Sequence, residues 1–225
     1  MAEAAAPAHE DVRYEVADHV ATITIDREHV QNTISGPMLD AVTELMLQAD
    51  RDPEVRCIML TGTGRFFCAG LDLRSGRIGG SDAGASTNLD LRSTPPTVMH
   101  HLDTPTIAAL NGSAAGYGMD LALGCDIRVM SEDAKLAAAF TARGIVPESG
   151  GTWILPRLIG WSKAAELIFT GRTLKAPECL ELGLVSHVVP ATEVAKKARE
   201  IAAEICGNAP LAVQASKRMM RMGMN

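Results

Sequence analysis

The sequence predicts an α/β fold, because strand-like and helix-like hydrophobic patterns alternate through its first part and helical periodicity dominates its last part. The chain has 225 residues, of which 47% are hydrophobic and 21% are charged. A soluble chain of this size and composition can bury a substantial core. We expect a disordered tail at residues 1–10, an α/β core at 11–160 and a mainly helical region at 161–225.

The core begins with a predicted hairpin. Residues 12–16 and 20–26 alternate apolar and polar side chains, with a three-residue turn between them. A helix is expected at 37–49, where five apolar residues recur at helical spacing. Residues 57–61 form a continuous apolar run closed by glycines, which is typical of a strand buried on both faces.

The same alternation returns further along the chain. The patterns predict helices at 97–101 and 119–123, strands at 106–110 and 126–130, later helices at 163–170, 176–182, 194–208 and 211–222, and one late strand at 184–189. Residues 74–92 are rich in Gly, Ser and Asp and predict a surface loop. The final helical pattern lacks a convincing C-cap, which leaves truncation of the helical region as an alternative.

The net charge, the apolar stretches and the cysteines of the sequence argue against several kinds of partner and site. The formal net charge of −6 offers no basic surface for nucleic acid or an anionic membrane. Apolar stretches are too short to cross a bilayer, and residues 1–10 lack the pattern of a signal peptide. The five cysteines are scattered, without a C-x-x-C pair, so neither a disulfide framework nor a zinc site is predicted. We expect a cytoplasmic protein without a bound metal.

Two glycine-centred segments, 65–73 and 109–120, each follow a predicted strand. Small residues there let the backbone approach a ligand, and N–H groups in the first turn of a helix have no acceptor within the helix. Two such segments facing one another can hold an oxyanion. The plainer alternative is that the glycines only permit tight turns. Nucleotide binding is not predicted, because both the third glycine of a dinucleotide fingerprint and the G-K-[ST] of a P-loop are missing.

The runs FCAGLD at 67–72 and NGSAAGYG at 111–118 together resemble the paired signature of the crotonase (enoyl-CoA hydratase/isomerase) superfamily. The resemblance extends to 27–32, 125–128, 144–147, 150–152, 170–172 and 181–185, and so covers nearly the whole chain beyond the tail. It implies an α/β, crotonase-like spiral of repeated ββα units followed by a helical trimerisation segment. It also implies a homotrimer or dimer of trimers, and an acyl-CoA thioester substrate. No cofactor is expected, because coenzyme A is part of the substrate.

By position in the family, the oxyanion-hole N–H groups fall on Leu71 and Tyr117. The resemblance assigns substrate-binding positions around them to Ala69, Gly70, Leu71, Asp72, Gly116, Tyr117 and Phe140. A thioester carbonyl polarised by two fixed N–H dipoles gives an accessible enolate, and losing one such donor typically costs ~10²-fold or more in rate. The stabilising groups would therefore be backbone atoms.

Hydratases of this family hold two glutamates around the attacking water. The first position falls on Asp120, and the second falls on Phe140, which cannot transfer a proton. Glu148 matches the position at which some isomerases of the family hold their catalytic carboxylate. We therefore predict Glu148 as the principal acid/base and Asp120 as the second carboxylate, in isomerisation or hydration of an enoyl-CoA. The plainer alternative for both residues is an acid stabilised at the start of a helix.

A rival from another class is a non-catalytic acyl-CoA-binding or scaffold protein on the same fold, which Phe140 favours. Other residues receive weaker expectations from the sequence. Residues 74–92 are expected to wall the acyl pocket. We interpret His100, His101 and Cys68 as packing or surface residues, Met219, Met220 and Met222 as packing or interface residues, and Arg27 and Lys217 as candidates for contacts with the phosphates of coenzyme A.

Overall fold

The computed structural model describes residues 9–72, 95–147 and 149–224. Most of the expected tail, the expected surface loop at 74–92 and Glu148 lie outside these ranges. Ten strands are present among the described residues: β1 (Val12–Ala17), β2 (Val20–Ile25), β3 (Cys57–Gly62), β4 (Phe66–Cys68), β5 (Thr106–Leu110), β6 (Ser113–Ala115), β7 (Ile127–Ser131), β8 (Lys135–Ala137), β9 (Thr173–Lys175) and β10 (His187–Val189).

Eight α-helices accompany the strands in the described part of the chain. They are α1 (Gly36–Arg51), α2 (Pro95–His101), α3 (Tyr117–Gly124), α4 (Gly151–Ile159), α5 (Trp161–Thr170), α6 (Ala176–Glu181), α7 (Val194–Cys206) and α8 (Pro210–Met222). Gly160, with φ 77°, separates α4 from α5. None of these helices is long and apolar enough to cross a membrane.

The strands form two sheets. The larger sheet has the order β1-β2-β3-β5-β7-β10, and the smaller has the order β4-β6-β8-β9. The predicted hairpin is confirmed, since β1 and β2 pair antiparallel and the turn residues Asp18 and His19 have φ 51° and 64°, as a tight hairpin turn requires. The remaining neighbours in the larger sheet pair in parallel.

The middle of the larger sheet is buried on both faces, as its apolar run predicts. Cys57 and Met59 of β3 belong to a cluster with Ala198 and the other buried residues of α7. Ile58 and Leu60 face the opposite way, into the main core. Because successive side chains of a strand point to opposite faces, a strand between two helical layers has no polar positions to alternate with.

Each of β3, β5 and β7 is followed by a short strand of the smaller sheet, which gives the repeated ββα unit. The predicted α/β, crotonase-like architecture is confirmed. The strands of the smaller sheet were missing from the sequence prediction because three residues are too few to show a period. α3 begins at Tyr117, two residues before the expected start, and β10 covers only the end of the strand expected at 184–189. α4 was not delimited in advance, because Pro156 interrupts its helical pattern.

Candidate active site

Two chain segments, 62–72 and 111–120, meet where β3 and β5 end, and we call them the strand-end cradle. The side chain of Asn111 joins them. Its Oδ1 accepts a hydrogen bond from Gly62 N (3.1 Å), and its Nδ2 donates to Gly64 O (2.9 Å) and Phe66 O (3.1 Å). β4 and β6 then pair in parallel. The second glycine-centred segment is therefore fixed along the first.

The side chain of Asn32, which is fully buried, also holds the first segment in place. Its Nδ2 donates to Thr63 O (2.9 Å) and Phe66 O (2.7 Å), and its Oδ1 accepts from Arg27 N (2.9 Å). Asn32 has φ 55°, a conformation that asparagine tolerates better than most residues. One side-chain amide thus forms hydrogen bonds with three backbone groups of a turn, where the backbone is not paired with a neighbouring strand.

Glycine lets α3 approach the first segment. A Cβ on Gly118 would overlap the carbonyl oxygen of Cys68, so no larger residue fits between them. Nearby, a Cβ on Gly70 would lie 3.0 Å from Ala115 O and 3.9 Å from Tyr117 N. The backbone just before Leu71 therefore lies directly against the backbone that opens α3.

The N–H groups of Leu71 and Tyr117 lie in these adjoining segments. Ile34 N donates to Gly70 O (2.9 Å), and Asp72 N donates to Ile34 O (2.9 Å). Both bonds use neighbours of Leu71, and because the chain is extended here the Leu71 N–H points away from Ile34.

Tyr117 is the first residue of α3. Hydrogen bonds within this helix start with Met119 N (2.9 Å) and Asp120 N (3.1 Å), which both donate to Gly116 O. The Tyr117 N–H belongs to the first turn, at the end of the helix whose dipole favours negative charge. The structure thus brings together the two segments that carry the predicted oxyanion-hole donors.

The other predicted binding residues lie around these donors. Phe140 is buried, and its Cε1 lies 3.9 Å from where a Cβ on Gly116 would be. Ala69 N donates to Gln31 O (3.1 Å). Asp72 accepts a hydrogen bond at Oδ2 from Arg27 Nη1 (2.7 Å). An apolar ring, that of Phe140, therefore lies beside Gly116, at the position where the family resemblance places the second glutamate of the hydratases.

Asp120, the last residue of the second cradle segment, carries a buried carboxylate. It is buried, with 3% of its surface exposed, and the buried Ser149 Oγ donates to its Oδ2 (2.7 Å). A Cβ on Gly151 would overlap Asp120 Oδ1. Gly151 is the first residue of α4, so the Asp120 carboxylate lies at the N-terminus of that helix, where the dipole favours negative charge.

The predicted acid/base, Glu148, lies outside the described residues. Its neighbours in the chain are Pro147 and Ser149, both buried. Ser149 contacts Asp120. Glu148 is therefore the chain neighbour of a residue in direct contact with the second carboxylate.

Three other sequence candidates have different surroundings from those a catalytic or phosphate-binding role needs. Burial raises the pKa of the Cys68 thiol to about 12, which agrees with its interpretation as an unreactive packing residue. Arg27 binds Asp72 and Asp11. Lys217 is buried against Asp126 (2.7 Å). These contacts give both cations partners inside the fold, and the structure does not support their expected contacts with the phosphates of coenzyme A.

Metal binding has no geometric basis in the described part of the chain, where no group of three or more His, Cys, Asp or Glu is placed to hold an ion. Sequence reasoning also missed the residues that organise the cradle, namely Asn32, Asn111, Ser149 and Gly151. An asparagine directly after a predicted strand, as Asn111 follows β5, is one signal that points to such a role. The contact of Ser149 with Asp120 carries no such signal, because the two residues are 29 positions apart.

Comparisons with known proteins identify relatives of this chain. The model of the family described as enoyl-CoA hydratase/isomerase matches residues 15–225. YngF of Bacillus subtilis, which carries the name of an enoyl-CoA hydratase/isomerase, is 40% identical over 208 residues, covering 92% of this chain and 80% of that protein. The short-chain-enoyl-CoA hydratase of Clostridium acetobutylicum is 38% identical over 210 residues, 91% of this chain and 78% of that protein. The crystal structure of an enoyl-CoA hydratase from Bacillus anthracis superposes with a TM-score of 0.83 at 36% identity, covering 96% of this chain and 88% of that one.

Proposed function

The chain belongs to the enoyl-CoA hydratase/isomerase family and is an enzyme of that family, and we propose that it stabilises the enolate of an acyl-CoA thioester between the N–H groups of Leu71 and Tyr117. The observation that carries this proposal is the approach of Gly70 to the Tyr117 N at the start of α3. Two preorganised donors lower the barrier most when negative charge develops on the thioester oxygen, and each is worth ~10²-fold or more in rate.

Proton transfer falls to Glu148, with Asp120 as the second carboxylate. In isomerisation one carboxylate removes a proton from C2 of a 3-enoyl-CoA and returns it at C4 while the two N–H groups hold the charge. The apolar Phe140 beside Gly116 supports isomerisation, because it replaces a carboxylate that hydration uses in relatives. The role of Glu148 is assigned from its position in the sequence, which matches that of the catalytic carboxylate in some isomerases of the family.

Hydration by an Asp120–Glu148 pair is the second candidate reaction. It is favoured by the buried carboxylate of Asp120, which the Ser149 hydroxyl and the N-terminus of α4 hold in place. A fixed carboxylate can orient a water molecule for addition at C3 while the other acid protonates C2. Both reactions share the enolate and differ only in where the proton and the water go.

The substrate supplies coenzyme A, and the proposed chemistry requires no other cofactor and no metal. We place the protein in the cytoplasm, which is supported by five cysteines that are all buried free thiols. A homotrimer or dimer of trimers is supported by large apolar side chains that the single chain leaves exposed, with Val146 at 70%, Trp161 at 75% and Phe169 at 73%.

The test compares the wild type, Glu148→Gln and Asp120→Asn on 2-enoyl-CoA and 3-enoyl-CoA substrates, with product identified by chromatography. We expect Glu148→Gln to lower kcat by roughly 10²- to 10⁴-fold, the usual contribution of a positioned acid/base. Glu132→Gln, at an exposed position, is the matched control and should retain activity. If Glu148→Gln left both rates unchanged, its assigned role would be wrong. A wild type that binds the thioesters without turning them over would favour the non-catalytic alternative.

A further inference from the structure

A cavity of about 380 Å³ lies between α2, α4 and α8. This volume is within the range of small-molecule sites in proteins. Its walls are Pro96, Thr97, His100 and His101 of α2, Gly150, Trp153 and Ile154 at α4, and Arg221 and Met222 of α8. The three helices are far apart in sequence, and neither of the glycine-centred segments contributes to the cavity.

The cavity adjoins the predicted carboxylates. Gly150 lines it, and Gly151, the next residue, lies against the Asp120 carboxylate. The Cα atoms of consecutive residues are ~3.8 Å apart, so the wall of the cavity begins one residue from the group that touches Asp120. The cavity wall and the Asp120 site therefore share the start of α4.

Part of the wall is apolar and aromatic. Pro96, Ile154 and Met222 supply aliphatic surface. The ring of Trp153 is contacted by the edge of His100, with the centroids 4.7 Å apart, and by the guanidinium of Arg157 at 4.1 Å. These contacts fix the indole, and together with the aliphatic residues it gives the cavity an apolar surface that suits a hydrocarbon chain.

The rest of the wall is polar and includes the Arg221 guanidinium. Arg221 Nη1 donates to His100 O and Leu102 O (both 2.9 Å), and its Nη2 lies 3.3 Å from Asp103 Oδ1. These bonds attach the guanidinium to the end of α2, at the cavity wall. Arg218 shares the Asp103 carboxylate.

Cations and carboxylates both lie around the cavity among the described residues. α8 contributes Lys217, Arg218 and Arg221, which pair with Asp103 and Asp126, and Asp50 adds negative charge near Arg218. The Arg157 guanidinium over Trp153 adds a fourth cation. The pKa of His100 is lowered, first by burial and then by His101 and Arg221, with a smaller opposing effect of Asp126, which is consistent with a positive local potential.

We infer that this cavity receives the far end of the acyl group, and that the preferred acyl group ends in a carboxylate. This inference rests on the proposed function, since it takes the thioester to be held in the cradle. The hydrocarbon chain passes the aliphatic and aromatic wall, and the terminal carboxylate binds at the Arg221 and His101 end. Arg221 makes three polar contacts within the protein, and a guanidinium carries five N–H donors, so a terminal carboxylate can bind it whereas a plain alkyl tail cannot.

The test measures binding of two saturated thioesters of equal chain length by titration calorimetry, hexanoyl-CoA and adipoyl-CoA, which differ in the terminal carboxylate. We expect the wild type to bind adipoyl-CoA about tenfold more tightly, as one charge-assisted hydrogen bond gives. Arg221→Met should remove this preference. Arg218→Met is the matched control, because Arg218 pairs with the same Asp103 but does not line the cavity, and it should keep the preference.

The relative affinities of the two thioesters decide whether the cavity prefers a terminal carboxylate. Equal or tighter binding of hexanoyl-CoA by the wild type overturns the inference, as does a preference that survives Arg221→Met. If Arg221→Met does not fold, His101→Gln at an exposed wall position replaces it, and the preference should fall two- to threefold, about as one weak polar contact at an exposed position gives. Saturated thioesters bind without turnover, so equal binding of both overturns only this inference, whereas binding of neither overturns the proposed function as well.

Discussion

In the strand-end cradle, the groups that face the proposed ligand are backbone N–H groups, whereas in the helical wall formed by α2, α4 and α8 they are side chains. The cradle is held by backbone pairing and by the amides of Asn32 and Asn111, which bond to main-chain groups and to nearby threonines. The helical wall is held largely by ion pairs of Lys217, Arg218 and Arg221.

This difference separates what the enzyme does from what it accepts. The cradle depends on where the backbone lies, so residues as unlike as Leu71 and Tyr117 can carry its donors. The helical wall depends on side-chain identity, and one substitution there changes its charge. We therefore expect reaction class to be set by the cradle and substrate preference to be set by the wall.

The largest expected effect is on stability, from Lys217→Met. Lys217 is buried, pairs with Asp126 and donates to Thr104 O (2.9 Å). Removing one partner of a buried pair typically costs 3–5 kcal/mol, and because Asp126 is 35% exposed we expect about 3 kcal/mol. Urea unfolding measures the loss. The control is Lys196→Met in an exposed ion pair with Glu193, which should change stability by less than ~1 kcal/mol. Similar losses in the two variants would show that α8 is not held by its buried cation.

Gly118→Ala tests the cradle by moving its backbone. The new Cβ would overlap Cys68 O, so α3 must shift away from the first segment and carry the Tyr117 N–H with it. We expect kcat to fall ~10²-fold, the cost of one lost oxyanion donor. In Gly207→Ala the new Cβ meets only ordinary contacts of 3.5 Å or more, and activity should stay near the wild-type level. A kcat within threefold of the wild type in Gly118→Ala would argue against close backbone placement as the basis of catalysis.

Ser149→Ala tests the contact between the cradle and α4. It removes the hydroxyl that donates to the buried Asp120 carboxylate. A hydrogen bond to a charged group contributes ~1.5–3 kcal/mol, so we expect kcat to fall about tenfold or more if the carboxylate must be held in one position. Ser216→Ala removes a hydroxyl that bonds only to its own helix at Ala212 O and is the matched control. Equal rates in both variants would remove Asp120 from the reaction.

The smallest expected effect comes from Asp103→Asn at the edge of the helical wall. The hydrogen bond from Arg218 is the main cause that lowers the pKa of Asp103 below its ordinary value of 3.8, with Arg221 adding to it. A lowered pKa means that the stabilisation is present above pH 3.8 and is lost as the pH falls below it. Asp103→Asn should thus cost about 0.5 kcal/mol in urea unfolding at pH 7 and less at pH 3. A loss that is the same at both pH values would contradict the ionic attachment, and Asp133→Asn at an exposed position serves as control.

The cradle is also the region that the sequence describes best. The two glycine-centred segments and the strands before them are short-range patterns, so their meeting follows from the parallel pairing of neighbouring strands. The short strands β4, β6, β8 and β9 were not predicted. Each forms because a neighbouring segment pairs with it, and three residues are too few to show an alternating hydrophobic pattern.

The helical wall could not be predicted in the same way. His100, Trp153 and Arg221 lie on three helices, and no local pattern brings them together. The interpretation of Arg27 and Lys217 as phosphate contacts had the same limit. The sequence does not show that each cation pairs in the fold with a buried or half-buried carboxylate from a distant part of the chain.

The central claim is that the cradle polarises a thioester carbonyl, and infrared difference spectroscopy of cinnamoyl-CoA labelled with ¹³C at that carbonyl tests it most directly. The account predicts that the carbonyl stretch moves to lower frequency on binding to the wild type and to Asp120→Asn, and that Gly118→Ala reduces the movement. A bound thioester whose carbonyl stretch stays at its solution frequency in the wild type would contradict the account.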